Sequence, residues 1–190
     1  MKTRDMILIG TFAALTAIGA FVRIETPFLP FTLQFLFCAY SGVLLGARKG
    51  FMSQVIYVGI GLAGIPIFTK GGGITYIFQP TFGYLLGFIL CATVIGFLTQ
   101  QQKKVTFFGI FLPVIAGLTM VYMAGVPYLY AIVNFYFHKT MPFSAAIAAG
   151  FTPFIVPDLI LSIVVALTAL KVVPILRRSG LIEVPVTEGQ

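Results

Sequence analysis

Tryptophan is absent from the 190 residues, and histidine occurs once, as His138. Charged residues make up only 9% of the chain. A soluble domain carries about 25%, so an ordinary water-soluble fold is excluded. The two cysteines, Cys38 and Cys91, both sit in apolar runs, which indicates neither a disulfide framework nor a metal site. No G-x-x-x-x-G-K-[ST] string occurs, so the chain has no recognisable nucleotide-hydrolysing motif. Neither a Ser/His/Asp set nor paired carboxylates stand out, and nothing in the sequence calls for enzyme chemistry or a cofactor. Internal repeats of the kind found in many secondary carriers are not visible.

What is present is apolar. Hydrophobic residues account for 59% of the chain, with 20 Phe and 8 Tyr to supply any interfacial belt. The reading is an all-α integral membrane protein. A net charge of +7 would point to nucleic acid in a soluble protein. Here it follows from the tendency of cytoplasmic loops to accumulate Lys and Arg, and no nucleic-acid partner is expected.

A spanning helix needs about 20 mostly apolar residues. The first is Met6–Ile24, too long for the core of a cleaved signal peptide and read as a retained helix. A Pro-bounded turn, Glu25–Pro30, leads to short spans at Leu33–Ala47 and Gly50–Ile65. A glycine-rich loop precedes the fourth span, Pro80–Thr99, and the polar stretch Gln100–Lys104 follows it. Val105–Lys139 exceeds one crossing. It divides into a span to about Gly125-Val126-Pro127 and an extra helical piece, Tyr128–Phe137. The last span is Phe151–Leu176. The expected architecture is one six-helix domain, 1–178, with a polar cytoplasmic tail, 179–190.

Six crossings place both termini on one side. Lys2, Arg4, Arg48, Lys49, Lys103, Lys104, Arg177 and Arg178, eight residues, fall on that side, against Arg23, Lys70 and Lys139, three residues, on the other. The bias puts both termini in the cytoplasm and the glycine loop between helices 3 and 4 outside the cell membrane.

That loop, Lys70 to Phe88, KGGGITYIFQPTFGYLLGF, departs most from lipid-soluble character. Gly71, Gly72 and Gly73 do not sustain a helix, while Pro80 suits a helix start. Irregular backbone among membrane spans is tolerated where it caps the protein, is buried in it or lines a cavity. The expectation is a mobile loop over a pocket. Lys70 and the glycine N–H groups offer a nest for an anion.

Asp158 follows Pro153 and Pro157 and opens the last apolar run. An intramembrane carboxylate is a functional candidate by default. Against this stands a structural role at a helix N-terminus, where the dipole favours negative charge. Gln79 and Asn134 are amides among aromatics, able to donate and accept together, or else to tie helices to one another. Phe35, Tyr40, Tyr84, Phe135 and Tyr136 are candidate walls. Lys171 lies thirteen residues after Asp158, roughly 20 Å deeper and about 140° round a helix. It therefore reads as a snorkelling lysine. Gly10, Ala13, Ala14 and Ala17 form a small-residue face suited to close helix packing, inside the bundle or against a partner.

The string GGGITYIFQPTFGYLLGF, six spans, the A-x-x-x-A at Ala13–Ala17 and the late Pro157-Asp158 together resemble one family. It is the biotin-specific substrate-capture subunit (S component) of energy-coupling factor (ECF) transporters, and the likeness covers nearly the whole chain. The resemblance implies tight binding of biotin from the outer face. It also implies partners: a transmembrane coupling protein and two cytoplasmic ATPases, with the capture subunit toppling in the membrane to release its cargo. On this resemblance Ala13 and Ala17 form the coupling face, Gly71–Gly73 a gate, and Asp158 the partner of the ureido ring. A basic residue late in the last helix, here Lys171, belongs to the same pattern.

The residues fit biotin by their own chemistry. Asp158 suits the two ureido N–H donors, Asn134 or Gln79 the ureido carbonyl, and Lys70 with the glycines the carboxylate. Two other classes remain on the sequence alone. One is a self-sufficient ion-coupled carrier using Asp158 and Lys171 as a charge relay, and the other is a membrane scaffold.

Overall fold

The apolar run after Asp5 forms a single helix, α1, Thr3–Phe21. A computed structural model describes residues 2–25, 29–102 and 104–179. Thr26, Pro27 and Phe28 of the expected turn, Lys103, and residues 180–190 of the expected tail lie outside the described residues.

After α1 the chain makes a two-stranded antiparallel ribbon, β1 (Arg23–Ile24) with β2 (Phe31–Thr32), which pairs Arg23 with Thr32 and Ile24 with Phe31. Helix α2, Gln34–Leu62, is interrupted at Gly46, whose φ of 79° and ψ of 179° belong to no helix. A side chain is disfavoured at that φ, and the site has no room for one, because the Gln100 amide fills the place a Cβ would take. The interruption turns the chain back on itself. Gln34 in the first arm bonds Tyr57 in the second, and Ser41 bonds Gln54, as antiparallel arms require. Backbone groups freed inside a membrane protein must find partners. The Ala47 N–H does so on Gln100 Oε1 at 3.1 Å.

A short 3₁₀ turn, Ile74–Phe78, leads into α3, Phe82–Gln100. Helix α4, Phe107–Ala131, starts at Thr106, whose hydroxyl accepts the Gly109 N–H at 3.1 Å as an N-cap. The expected end of that span at Pro127, with a separate piece over Tyr128–Phe137, is corrected. α4 runs through Pro127 and continues as a π-helical turn, Ile132–Tyr136. A proline removes only its own bond to the preceding turn, and local π adjustment absorbs the mismatch. The additional short helix comes later, as α5, Phe143–Gly150, and is followed by α6, Thr152–Arg178.

Among the described residues, four stretches are long and apolar enough to cross a membrane: Thr3–Phe21, Phe82–Gln100, Phe107–Tyr136 and Phe143–Leu176. Helix α3 lies between α2 and α4 and carries Cys91, Ala92 and Ile95 fully buried. Its glycines let main chains approach on both sides: a Cβ on Gly87 would stand 2.7 Å from Val121 Cα, and one on Gly96 would stand 2.2 Å from the Ala47 nitrogen. One end of the bundle is closed by the Asp5–Lys49 ion pair at 3.0 Å and by Gln100 at the α2 break. The other holds the ribbon and the loop after α2, joined by the Arg23 guanidinium, which donates to the Thr69 carbonyl and pairs with Glu25 at 2.7 Å.

A cavity built on Asp158 and Tyr122

At the ribbon end the elements diverge around about 590 Å³ of open space, counting the part continuous with solvent. The ribbon contributes Phe31 and Thr32, and the start of α2 contributes Gln34 and Phe35. Thr69, Tyr76 and Thr81 come from the loop and 3₁₀ turn, with Tyr84 and Phe88 from α3. Tyr122 on α4 and Phe154 and Asp158 on α6 complete the wall.

Asp158 is 7% exposed and receives the Tyr122 hydroxyl on Oδ2 at 2.5 Å. A tyrosine in an apolar span needs a partner for its O–H, and a buried carboxylate is the strongest acceptor available. The bond occupies one carboxylate oxygen and leaves Oδ1 for a donor in the cavity. A second polar group combines loop and helix. Tyr76 lies between two threonine hydroxyls, Thr69 at 2.8 Å and Thr81 at 2.9 Å. A third is Gln34, which accepts from Thr32 at 3.0 Å and donates to Tyr57 at 2.7 Å. Tyr57 donates in turn to the Ile67 carbonyl, so this chain of bonds ties the ribbon to the loop. Phe35, Leu85, Phe88, Val121 and Phe154 supply apolar surface between these groups. Tyr84 is held in place by its hydroxyl, which donates to the Gly150 carbonyl at 2.8 Å.

Of the residues singled out from the sequence, Asp158, Phe35 and Tyr84 line this cavity. The others lie elsewhere. Tyr40 bonds Thr168 at 2.5 Å, joining α2 to α6. Asn134 sits in the π turn with its amide committed to main chain. Nδ2 donates to the Tyr130 and Met141 carbonyls at 2.9 and 3.0 Å, and Oδ1 accepts the Met141 N–H at 3.0 Å. Phe135 is exposed, and Tyr136 stacks on Phe78. Gln79 caps the 3₁₀ turn, half-buried and outside the cavity lining.

The glycine loop is less of an anion nest than expected. Gly71 N–H donates to the Phe68 carbonyl and Gly73 N–H to the Gly61 carbonyl. Gly72 is a glycine for space, since a Cβ there would stand 2.3 Å from the Ile65 oxygen. Lys70 is exposed beside them. Lys171 is exposed on α6 and stays clear of the cavity, as its spacing from Asp158 predicts. In α1, Ala13 is buried against the bundle and Ala17 half-buried, while Gly10 and Ala14 are exposed. No group of three or more metal-ligating side chains occurs among the described residues.

Tyr122, Gln34 and Thr69 line the cavity and were passed over in the sequence. Tyr122 and Gln34 carry a signal: each is a polar group in an otherwise apolar span. Thr69 has none. The placement of Asn134 gives a direct expectation. Asn134→Ala leaves ligand affinity within about threefold of wild type but lowers stability by about 1–2 kcal/mol, because it orphans the Tyr130, Met141 and backbone partners. Ligand titration and thermal unfolding of the same preparation check both parts.

Helices long and apolar enough to cross a membrane surround a cavity with a buried acid, apolar walls and neutral donors, an arrangement chemically suited to a small organic molecule. The chain belongs to the BioY family, whose sequence model matches residues 1–178. It is 44% identical over 182 residues to the probable biotin transporter BioY of Lysinibacillus sphaericus, covering 96% of this chain and 93% of that one. It is 40% identical over 169 residues to the biotin transporter BioY of Thermotoga maritima, covering 88% and 95%. Its fold matches the crystal structure of the S-component for biotin from an ECF-type ABC transporter, with a TM-score of 0.81 over 92% of this chain and 95% of that one, at 22% identity.

Proposed function

We propose that this chain is the biotin-capturing subunit of an ATP-driven vitamin importer. The observation that carries the reading is the cavity itself. Buried Asp158 keeps one oxygen open toward a space walled by Phe35, Phe88 and Phe154. Oδ1 of Asp158 accepts one ureido N–H, and the Tyr122 oxygen has a lone pair for the other. The spare N–H of Gln34 suits the ureido carbonyl, in the place first given to Asn134 or Gln79. Ring and chain carbons lie on the aromatic surface. No covalent step or cofactor is required.

On this reading the two arms of α2 are two further crossings beside the four long apolar stretches, which would make six. The eight-to-three charge bias then favours cytoplasmic termini and a cavity that opens outward, with residues 1–178 as one domain and the remainder a tail. Gly71–Gly73 would lie beside the mouth with Lys70 turned to solvent, and Gln79 would anchor the loop to α3. The energy would come from partners, a transmembrane coupling protein and two ATPases. Their docking face on α1 would use Ala17 with exposed Gly10 and Ala14, since Ala13 is already packed inside.

The test separates this reading from an ion-coupled carrier. Purified chain, titrated calorimetrically, is expected to bind biotin at one site. Reconstituted alone in vesicles, it is expected not to accumulate biotin under an imposed proton or sodium gradient. Gradient-driven accumulation by the isolated chain would establish the carrier instead, and absence of binding would remove biotin from the account.

A further inference from the structure

Resting on the biotin reading above, we infer that the site recognises the ureido end and leaves the ionisation of the ligand's carboxyl group unread, so that neutral biotin carboxamide and biotin esters are ligands alongside biotin.

The inference comes from the charges around the cavity. Among the described residues lining it there is one acid, Asp158, and no lysine, arginine or histidine. An isolated carboxylate is among the most costly groups to take out of water, and a second one beside Asp158 would add like-charge repulsion. The carboxylate of a bound biotin therefore lies at the opposite end from Asp158, where the cavity meets solvent. Half-exposed Pro30, Thr32 and Thr81 mark that opening.

The two cations nearest by chain position do not provide a counter-ion within the cavity. Arg23 is bound to Glu25 at 2.7 Å and to the Thr69 carbonyl, so its charge is already balanced and its donors hold the ribbon to the loop. Lys70 is exposed on the loop, outside the lining.

What the open end does offer is neutral. Thr69, Tyr76 and Thr81 have three hydroxyl hydrogens between them, and two bonds join the three oxygens. One hydrogen is left to point at a ligand oxygen. A neutral O–H donor serves an amide or ester carbonyl much as it serves a carboxylate oxygen facing water, whereas an ammonium or guanidinium would favour the carboxylate strongly. The arrangement fits a ligand defined by its ring system, with a tail whose terminal group is free to vary.

The experiment is a competitive titration of the purified full chain with biotin, biotin carboxamide and biotin methyl ester at low and at moderate salt. The amide and the ester are expected to bind within about fivefold of biotin, the scale of a solvent-exposed charge, at both salt concentrations. A loss beyond about tenfold for the amide would mean that a cation grips the carboxylate. That result overturns the inference and leaves the biotin reading standing. If biotin itself does not bind, the biotin reading fails and the inference with it. Arg23→Gln gives an independent check that does not depend on intact affinity. It is expected to shift biotin and its amide by the same factor, because Arg23 acts on the ribbon and loop; weakening of biotin alone would assign the carboxylate to Arg23 and refute the inference.

Discussion

Asp158→Asn is expected to lower the affinity for biotin by about 100-fold, the combined effect of a lost charge-assisted bond and a buried donor left without an acceptor. Asparagine has nearly the same volume, and its carbonyl still accepts the Tyr122 hydroxyl that reaches Oδ2 at 2.5 Å in the wild type. The amide nitrogen then occupies the position of Oδ1 and presents N–H to a ureido N–H. Donor faces donor, and neither has water to turn to. Because the packing survives, the unliganded melting temperature should stay close to wild type while ligand-induced stabilisation disappears. Calorimetric titration and thermal unfolding with and without biotin measure the two separately. Affinity within about threefold of wild type would show that the ligand's ring system lies away from α6 and would end this assignment of Asp158.

Gly96→Ala is expected to destabilise the protein by about 3 kcal/mol, at the upper end of ordinary overpacking penalties. The added Cβ would stand 2.2 Å from the Ala47 nitrogen, 2.3 Å from the Gly46 carbonyl carbon and 2.6 Å from Ala47 Cα. All three are main-chain atoms, so no side chain can swing aside to make room. They also lie at the point where α2 folds back, with Gln100 one turn along α3 capping the freed Ala47 N–H. Displacing α3 therefore opens a hydrogen bond as well as creating a clash. Thermal unfolding of the purified protein, read by loss of helix signal, is the measurement. An unchanged midpoint would mean that α3 and the α2 fold-back do not touch.

Much of the fold was legible because apolar length and charge placement are read directly from the chain. The fold-back within α2 was approached closely: a span expected to end at Ala47, before Arg48 and Lys49, breaks one residue earlier, at Gly46. Pro127 misled because proline marks helix ends in water, whereas a helix packed among others loses a single bond and carries on. At the site, Asp158 was legible from its rarity, since it is the only acid between Glu25 and Glu183. Asn134 illustrates the limit. An amide among aromatics signals that a polar group needs partners, but it does not say which ones, and here the neighbouring main chain supplies them all. Tyr122 and Gln34 show the converse. Their importance depends on Asp158 and Tyr57 arriving opposite them, which spacing along one helix does not encode. The glycines of the loop look alike in the sequence. Only coordinates separate Gly71 and Gly73, which adopt positive φ, from Gly72, which makes room for the Ile65 carbonyl.

The cavity's walls are far apart in the chain: Gln34 stands near the beginning of α2, and Asp158 follows it by 124 residues, near the beginning of α6. During synthesis the hydroxyls and most of the aromatic surface emerge first, and Phe154 and Asp158 on α6 emerge last. A ribosome-bound or truncated chain lacking α6 has the Gln34 amide and the hydroxyls but no buried carboxylate. On the proposed reading, occupancy by ligand would therefore report that this helix has been made and seated.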